Sequence, residues 1–287
     1  MTNDIKTYRQ YPTEVNTPPD PSIVSFFMVG CPRCGTTWVH TALKDHPEVY
    51  LPPKKQTYFF DESYEKGLSW YMANFSDVSV RHKAVGEIAT GYSRPHALPR
   101  LAEHFPNALI LLAMRNPTER AYSFYQSRAV QSGWKSFNEA IGAQPRILEQ
   151  GKYIEQIEHI YEYFPKERVL LLFYDDLKAD DRTYLRSILE FLAVDPEFRS
   201  RQLGRMVQVG AFPQLRRVFS RSKLEPILDF VSSSPAGDWI RKQLKSTGVR
   251  RYPPMDDETR TFLLDYYRPY NERLAALCGR DLSKWQI

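Results

Sequence analysis

Short, wholly apolar runs recur along the chain, separated by longer stretches with helical periodicity. Ile23 to Val29 is the first such run, and its β-branched and aromatic residues without polar alternation are the pattern of a strand covered on both faces. It stops at Gly30, and Thr37 to Leu43 then reads as a helix closed by Asp45-His46-Pro47. The same order recurs downstream. Ala84 to Ile88 predicts a short strand, Leu98 to Phe105 a helix, and Ala108 to Met114 the most apolar strand. Thr118 to Val130 predicts a helix with Pro117 at its favoured entrance, and Tyr153 to Tyr163 an amphipathic one. Val169 to Tyr174 is a further buried strand, followed by a helix over Arg182 to Leu192.

Strands alternating with helices predict an α/β fold: a three-layer sandwich with a central parallel sheet flanked by helices. Ligands in such sheets bind beyond the carboxyl ends of the strands. Residues 1–21, rich in proline and polar side chains, read as a flexible arm ahead of a single domain over 22–287. The periodicity weakens over about 197–249, with a break at Ser232-Ser233-Ser234-Pro235, and suggests an irregular helical insertion. A long amphipathic helix over Asp256 to Leu277 follows Pro253-Pro254.

Composition narrows the classes. With 287 residues, 42% of them hydrophobic and 25% charged, a disordered or fibrous chain is excluded. No run reaches the roughly 20 apolar residues of a membrane span. The N-terminal stretch lacks the apolar core of a secretory signal, and three cysteines make no disulfide framework, so a cytoplasmic enzyme is expected. Thirty-nine basic against 34 acidic residues leave +5, a mild excess that suits a small anionic ligand better than nucleic acid.

The loop after the first strand carries the chemistry. Gly30-Cys31-Pro32-Arg33-Cys34-Gly35-Thr36-Thr37 matches the phosphate-cradling G-x-x-x-x-G-K-[ST] except that Thr36 replaces the lysine. A strand leads in and a helix leads out, so backbone N–H groups and the helix dipole face an anion. Arg33 is placed to supply charge from another direction. Two other readings share these residues: Cys31 and Cys34 as a redox pair, and an ordinary strand–helix turn. A second strand-to-helix junction bears Arg115-Asn116-Pro117-Thr118-Glu119-Arg120-Ala121-Tyr122-Ser123-Phe124-Tyr125. There a guanidinium at Arg115 and a hydroxyl at Ser123 suit a phosphate monoester. Arg120 reads as structural, paired for instance with Glu119 or Asp175, and Tyr122 and Tyr125 read as core.

These two motifs in order resemble those of sulfotransferases that use 3′-phosphoadenosine-5′-phosphosulfate (PAPS), in the bacterial, heparan-sulfate and tyrosylprotein branches. Lys55-Gln56-Thr57-Tyr58-Phe59-Phe60-Asp61 is similar to the family's K-E-x-H-F-F-D segment, and Gly67 to Tyr71 continues it. Gly86 to Tyr92 resembles its G-E-x-x-P-x-Y strand. Gly151, Tyr153, Tyr174 to Leu177, Phe191-Leu192, Arg251 to Pro254 and Gly279 to Trp285 match later landmarks.

The resemblance implies transfer of a sulfuryl group from PAPS to a hydroxyl or amine of a small-molecule or glycan acceptor, by metal-independent in-line displacement, leaving 3′-phosphoadenosine-5′-phosphate (PAP). By the same resemblance Cys31 to Thr37 hold the 5′-phosphosulfate, and Arg115 and Ser123 the 3′-phosphate. Arg250 or Arg251 is implied as a second 3′-phosphate ligand, with sequence not deciding between them.

Arg33 stands where most members carry lysine, and the tyrosine-sulfating branch has arginine there. It is expected to clamp the departing oxygen, since arginine does not shed its proton. Lys55 is expected either to reach the sulfuryl group or to lie solvated beside Lys54. Many carbohydrate-directed members take the acceptor proton with the glutamate that is Gln56 here. An amide is no base, so Gln56 is left to orient the acceptor and Glu87 becomes the expected base, or else an ion-pair partner of Arg94. A P-loop kinase is disfavoured by Thr36 and by the lack of an evident carboxylate set for Mg²⁺. A non-catalytic sulfotransferase-like binding module is the third reading.

Overall fold

The computed structural model describes residues 19–205 and 254–287. Five parallel strands form one sheet in the order β2-β3-β1-β4-β5: β1 Phe26–Gly30, β2 Val49–Tyr50, β3 Ala84–Ile88, β4 Leu109–Met114 and β5 Val169–Phe173. β1 and β3 are buried at every position, as a strand covered on two faces must be. β1 sits centrally, with Phe26 against Gly86 on one side and against Leu109 on the other. Gly86 is required there, because a Cβ would lie 2.2 Å from the Phe26 carbonyl oxygen.

The first helix, α1, runs Thr36–Lys44. Two short helices follow, α2 Phe59–Glu62 and α3 Leu68–Met72, then α4 Ala97–His104 and α5 Pro117–Ser132. The chain continues through α6 Phe137–Ala143, α7 Arg146–Glu149, α8 Tyr153–Tyr161, α9 Tyr174–Ala179 and α10 Asp181–Phe191, and after the undescribed stretch ends in α11 Asp257–Cys278. Apolar residues at helical spacing seat them on the sheet: Leu98 and Leu101 of α4, Ile154, Ile157 and Ile160 of α8, Leu185, Ile188 and Leu189 of α10. Trp38 of α1 meets Tyr184 of α10 edge-on at 5.9 Å. An aromatic cluster of Phe27, Phe60, Tyr92 and Phe105 locks α2 to the sheet. α11 packs on α5 and α8 and continues through Pro269.

The predicted strands and long helices are present, with small shifts at their ends. The first strand begins at Phe26 rather than Ile23, because Pro21–Ile23 form a 3-10 turn whose start is capped by the Asp20 carboxylate on the Ser22 N–H. Tyr174 opens α9 instead of ending β5. β2, α2, α3, α6, α7 and α9 have no counterpart among the elements the sequence predicts. Residues 1–18 of the expected arm, and 206–249 of the expected insertion, lie outside the described residues; 197–205 hold a turn over 201–204 and no helix.

Candidate anion site at the ends of the two central strands

β1 and β4 are neighbours, so their carboxyl ends deliver both motifs to one place. The Cys31 N–H donates to the Ala113 carbonyl at 3.0 Å, binding the first loop to β4 two residues before Arg115. Within that loop Arg33 (φ 72°) and Gly35 (φ 86°) take left-handed conformations. At Gly35 a Cβ would fall 2.9 Å from Leu177 Cδ2 and 3.1 Å from Tyr174 Cδ2, so only glycine turns the chain into α1 here. Thr36 and Thr37 open α1, where the first N–H groups of a helix have no partner within it.

Across this opening the Arg33 Nε donates to Ser123 Oγ of α5 at 3.0 Å. Burial, reinforced by the nearby charge of Arg115, holds the Arg33 pKa below its usual value. Arg115 lies with its guanidinium carbon 5.1 Å from the Tyr174 ring, the same ring that limits Gly35. Its Nη2 is 3.5 Å from Glu119 Oε2, and Glu119 also faces Arg260 at 3.8 Å. Arg115, Ser123 and the 30–37 loop therefore share one electropositive corner.

Lys55 closes the other side. Its Nζ donates to Thr37 Oγ1 at 3.0 Å, and burial lowers its pKa to about 8. Lys55 is therefore tied to the loop rather than left as a freely solvated side chain. Gln56 Oε1 accepts from both the N–H and the hydroxyl of Thr90, each at 3.1 Å.

Glu87 is placed differently from the expectation of a base. It points beneath the 55–59 segment and is fully buried, with Oε1 accepting from the Thr57 N–H at 2.5 Å and Oε2 from the Tyr92 hydroxyl at 3.0 Å. Burial lifts its pKa to about 7. With both oxygens engaged by the protein, it presents no edge to an acceptor. Nor does it pair with Arg94, which faces Asp61 and Glu62 instead.

Cys31 and Cys34 are free thiols, 1% and 0% exposed. Cys31 donates to Gln156 Oε1 at 3.3 Å, and burial pushes its pKa well up. Cys34 lies 3.8 Å from the Pro32 carbonyl and 3.7 Å from the Tyr153 hydroxyl. Both side chains anchor the loop from beneath.

Comparison with known proteins identifies the family. A family model described as a sulfotransferase domain matches residues 24–254. The chain belongs to the sulfotransferase family. Relatives include the mouse bifunctional heparan sulfate N-deacetylase/N-sulfotransferase 4, 30% identical over 91% of this chain and 31% of its own. Human bifunctional heparan sulfate N-deacetylase/N-sulfotransferase 3 is 29% identical over the same shares. The chain thus spans about a third of the length of these curated relatives. A sulfotransferase from Alicyclobacillus acidocaldarius has the same fold, with a TM-score of 0.67 at 24% identity, covering 92% of this chain and 99% of that one.

The match to a sulfotransferase domain does not favour the kinase reading. Thr36, in the place of the kinase lysine, is buried at the start of α1. Arg120 is structural as expected but with other partners: it is fully buried, donating to the Ile147 carbonyl and to Gln150 Oε1. Glu119 turns to Arg115 because it sits one residue, about 100° of helix, away from Arg120. Tyr122 and Tyr125 join a second core cluster with Phe137, Leu263 and Tyr267. Arg250 and Arg251 lie outside the described residues. Sequence reasoning gave no role to Tyr153, whose hydroxyl touches both motifs, although Gly151 and Tyr153 stood out as landmarks.

Proposed function

We propose that the sulfotransferase takes PAPS as donor and transfers its sulfuryl group to an amine or hydroxyl of a glycan. The observation that carries this is the Arg33–Ser123 contact, which joins the loop for the 5′ end of a nucleotide to the motif for its 3′ end. In this reading the Thr36 and Thr37 N–H groups and Lys55 hold the 5′-phosphosulfate, with Cys31 to Cys34 and Gly35 shaping the loop. Arg115 and Ser123 hold the 3′-phosphate, completed by Arg250 or Arg251.

The chemistry follows from charge. In-line attack by the acceptor's lone pair forms the new bond to sulfur as the S–O bond breaks; that bonding pair stays on the bridging oxygen, which leaves as part of the bisphosphate, and the acceptor's proton passes to solvent. Cationic Arg33 and Lys55 beside that oxygen stabilise the charge as it forms, in a partly dry site where such contacts are strong. Arg33 remains protonated throughout and acts as a clamp. Gln56, fixed by Thr90, orients the acceptor, and Glu87 acts through Thr57 by fixing the segment that carries Lys55.

An amine is the favoured nucleophile. Its lone pair is available near neutral pH, and the site offers an amide rather than a carboxylate at residue 56. The relatives that bear the name N-sulfotransferase support the same choice. Trp70, 38% exposed with Lys66 Nζ 4.4 Å over its ring, and Tyr58, with Lys54 Nζ at 5.4 Å, give the 54–70 segment an aromatic and basic face for an acidic sugar chain.

The test is transfer of labelled sulfate from PAPS to hexosamine oligosaccharides with free or acetylated amines. Label on the free-amine substrate alone supports the proposal in full, and label on hydroxyls alone overturns the amine assignment. No transfer by protein that still binds PAP would favour the non-catalytic module, for which Gln56 speaks.

A further inference from the structure

The two halves of the anion site are joined from beneath by one hydroxyl. Tyr153 opens α8 and is 1% exposed. Its hydroxyl donates to the Arg115 carbonyl at 2.8 Å and accepts from the Arg115 N–H at 3.3 Å. The same oxygen stands 3.7 Å from Cys34 Sγ in the first loop. A phenol has one proton and two lone pairs, so three contacts exhaust it. Its ring is fixed in turn by Trp285 edge-on at 6.1 Å, and Trp285 is tied by its Nε1 to Asp175 at 2.8 Å. Tyr153 is thereby held where it grips the backbone of Arg115 and the floor of the loop together.

We propose that Tyr153 is a positioning residue that sets the distance between the two anion motifs and so gives the enzyme its preference for a 3′,5′-bisphosphorylated nucleoside over a 5′-monophosphate. A bisphosphate must satisfy both motifs at once, so its second contact gains only if the spacing is correct in advance. A 5′-monophosphate needs the first loop alone and is indifferent to where Arg115 lies. This inference rests on the donor site proposed above.

The experiment compares binding of PAP and of adenosine 5′-monophosphate to the wild-type chain and to Tyr153→Phe by calorimetry. The wild type is expected to prefer PAP. In Tyr153→Phe that preference falls roughly tenfold, the worth of one or two hydrogen bonds, while monophosphate affinity stays within about twofold. Equal weakening of both ligands, or an unchanged preference, overturns the inference and leaves the donor site intact. A wild type that binds neither nucleotide instead overturns the donor site itself.

Should Tyr153→Phe fail to fold, Cys34→Ala probes the same clasp from the loop side. A reduced preference for PAP supports it, and an unchanged preference overturns it. Where both variants fold, the double variant should lose less than the two single losses combined, since both remove one shared contact. Strict additivity contradicts the clasp.

Discussion

Arg33 and Ser123, ninety residues apart in sequence, meet at 3.0 Å across the opening beyond β1 and β4. The contact exists because these strands are adjacent and parallel, so the turns at their carboxyl ends share one edge. Charge from Arg33, Arg115 and Lys55 is concentrated there, which is what a multiply anionic donor requires.

Replacing Arg33 by alanine removes the clamp on the leaving oxygen. A fall of about a hundredfold in kcat/KM is expected, the usual scale for one such donor. Steady-state kinetics on a protein with unchanged thermal midpoint checks it. Ser123→Ala should raise the Kd for PAP roughly tenfold with less effect on turnover.

Lys55 predicts a pH dependence. Its pKa is lowered to about 8, so the ammonium is charged below that pH and neutral above it. The enzyme without nucleotide should therefore bind PAP several-fold more weakly at pH 9 than at pH 7. Lys55→Arg keeps its charge across this range and should show a flat profile in the same titration.

Glu87 predicts the opposite kind of signature, in stability. Burial raises its folded pKa to about 7, above its unfolded value, so the folded state binds more protons between about pH 4.5 and 7. This group's contribution is most favourable at low pH and declines as pH rises through 7. Denaturation midpoints of wild type and Glu87→Gln, followed from pH 5 to 8, should diverge in slope, by on the order of a few kcal/mol at most. Parallel curves would contradict a buried, titrating Glu87.

The strands and the two anion motifs were legible because they rest on strong local rules. β1, β4 and β5 are apolar runs, and the loop needs its glycines and Thr37 wherever a strand turns into an anion-binding helix. β2 has two residues, and α2 and α7 four each, too short for any period to register. The enclosure of Glu87 is hidden from the sequence for a different reason. Its position near the end of β3 is plain in sequence, but Thr57 and Tyr92, which enclose it, come from other segments. Tyr153 escaped in the same way: the residue marks itself, while its partners at 34 and 115 arrive only through the fold.

Gly35→Ala tests the turn. The added methyl meets Leu177 and Tyr174 at a φ of 86°, so a loss of about 1–3 kcal/mol in stability and most of the nucleotide affinity is expected. Chemical denaturation and calorimetry on the same sample measure both.

The most direct test of the donor site is calorimetric titration of the full chain with PAP. One saturable site is predicted, with its affinity clearly reduced in Arg115→Ala and in Arg33→Ala while both variants stay folded. Absence of saturable binding by the folded wild type, or binding that survives both substitutions unchanged, would contradict it.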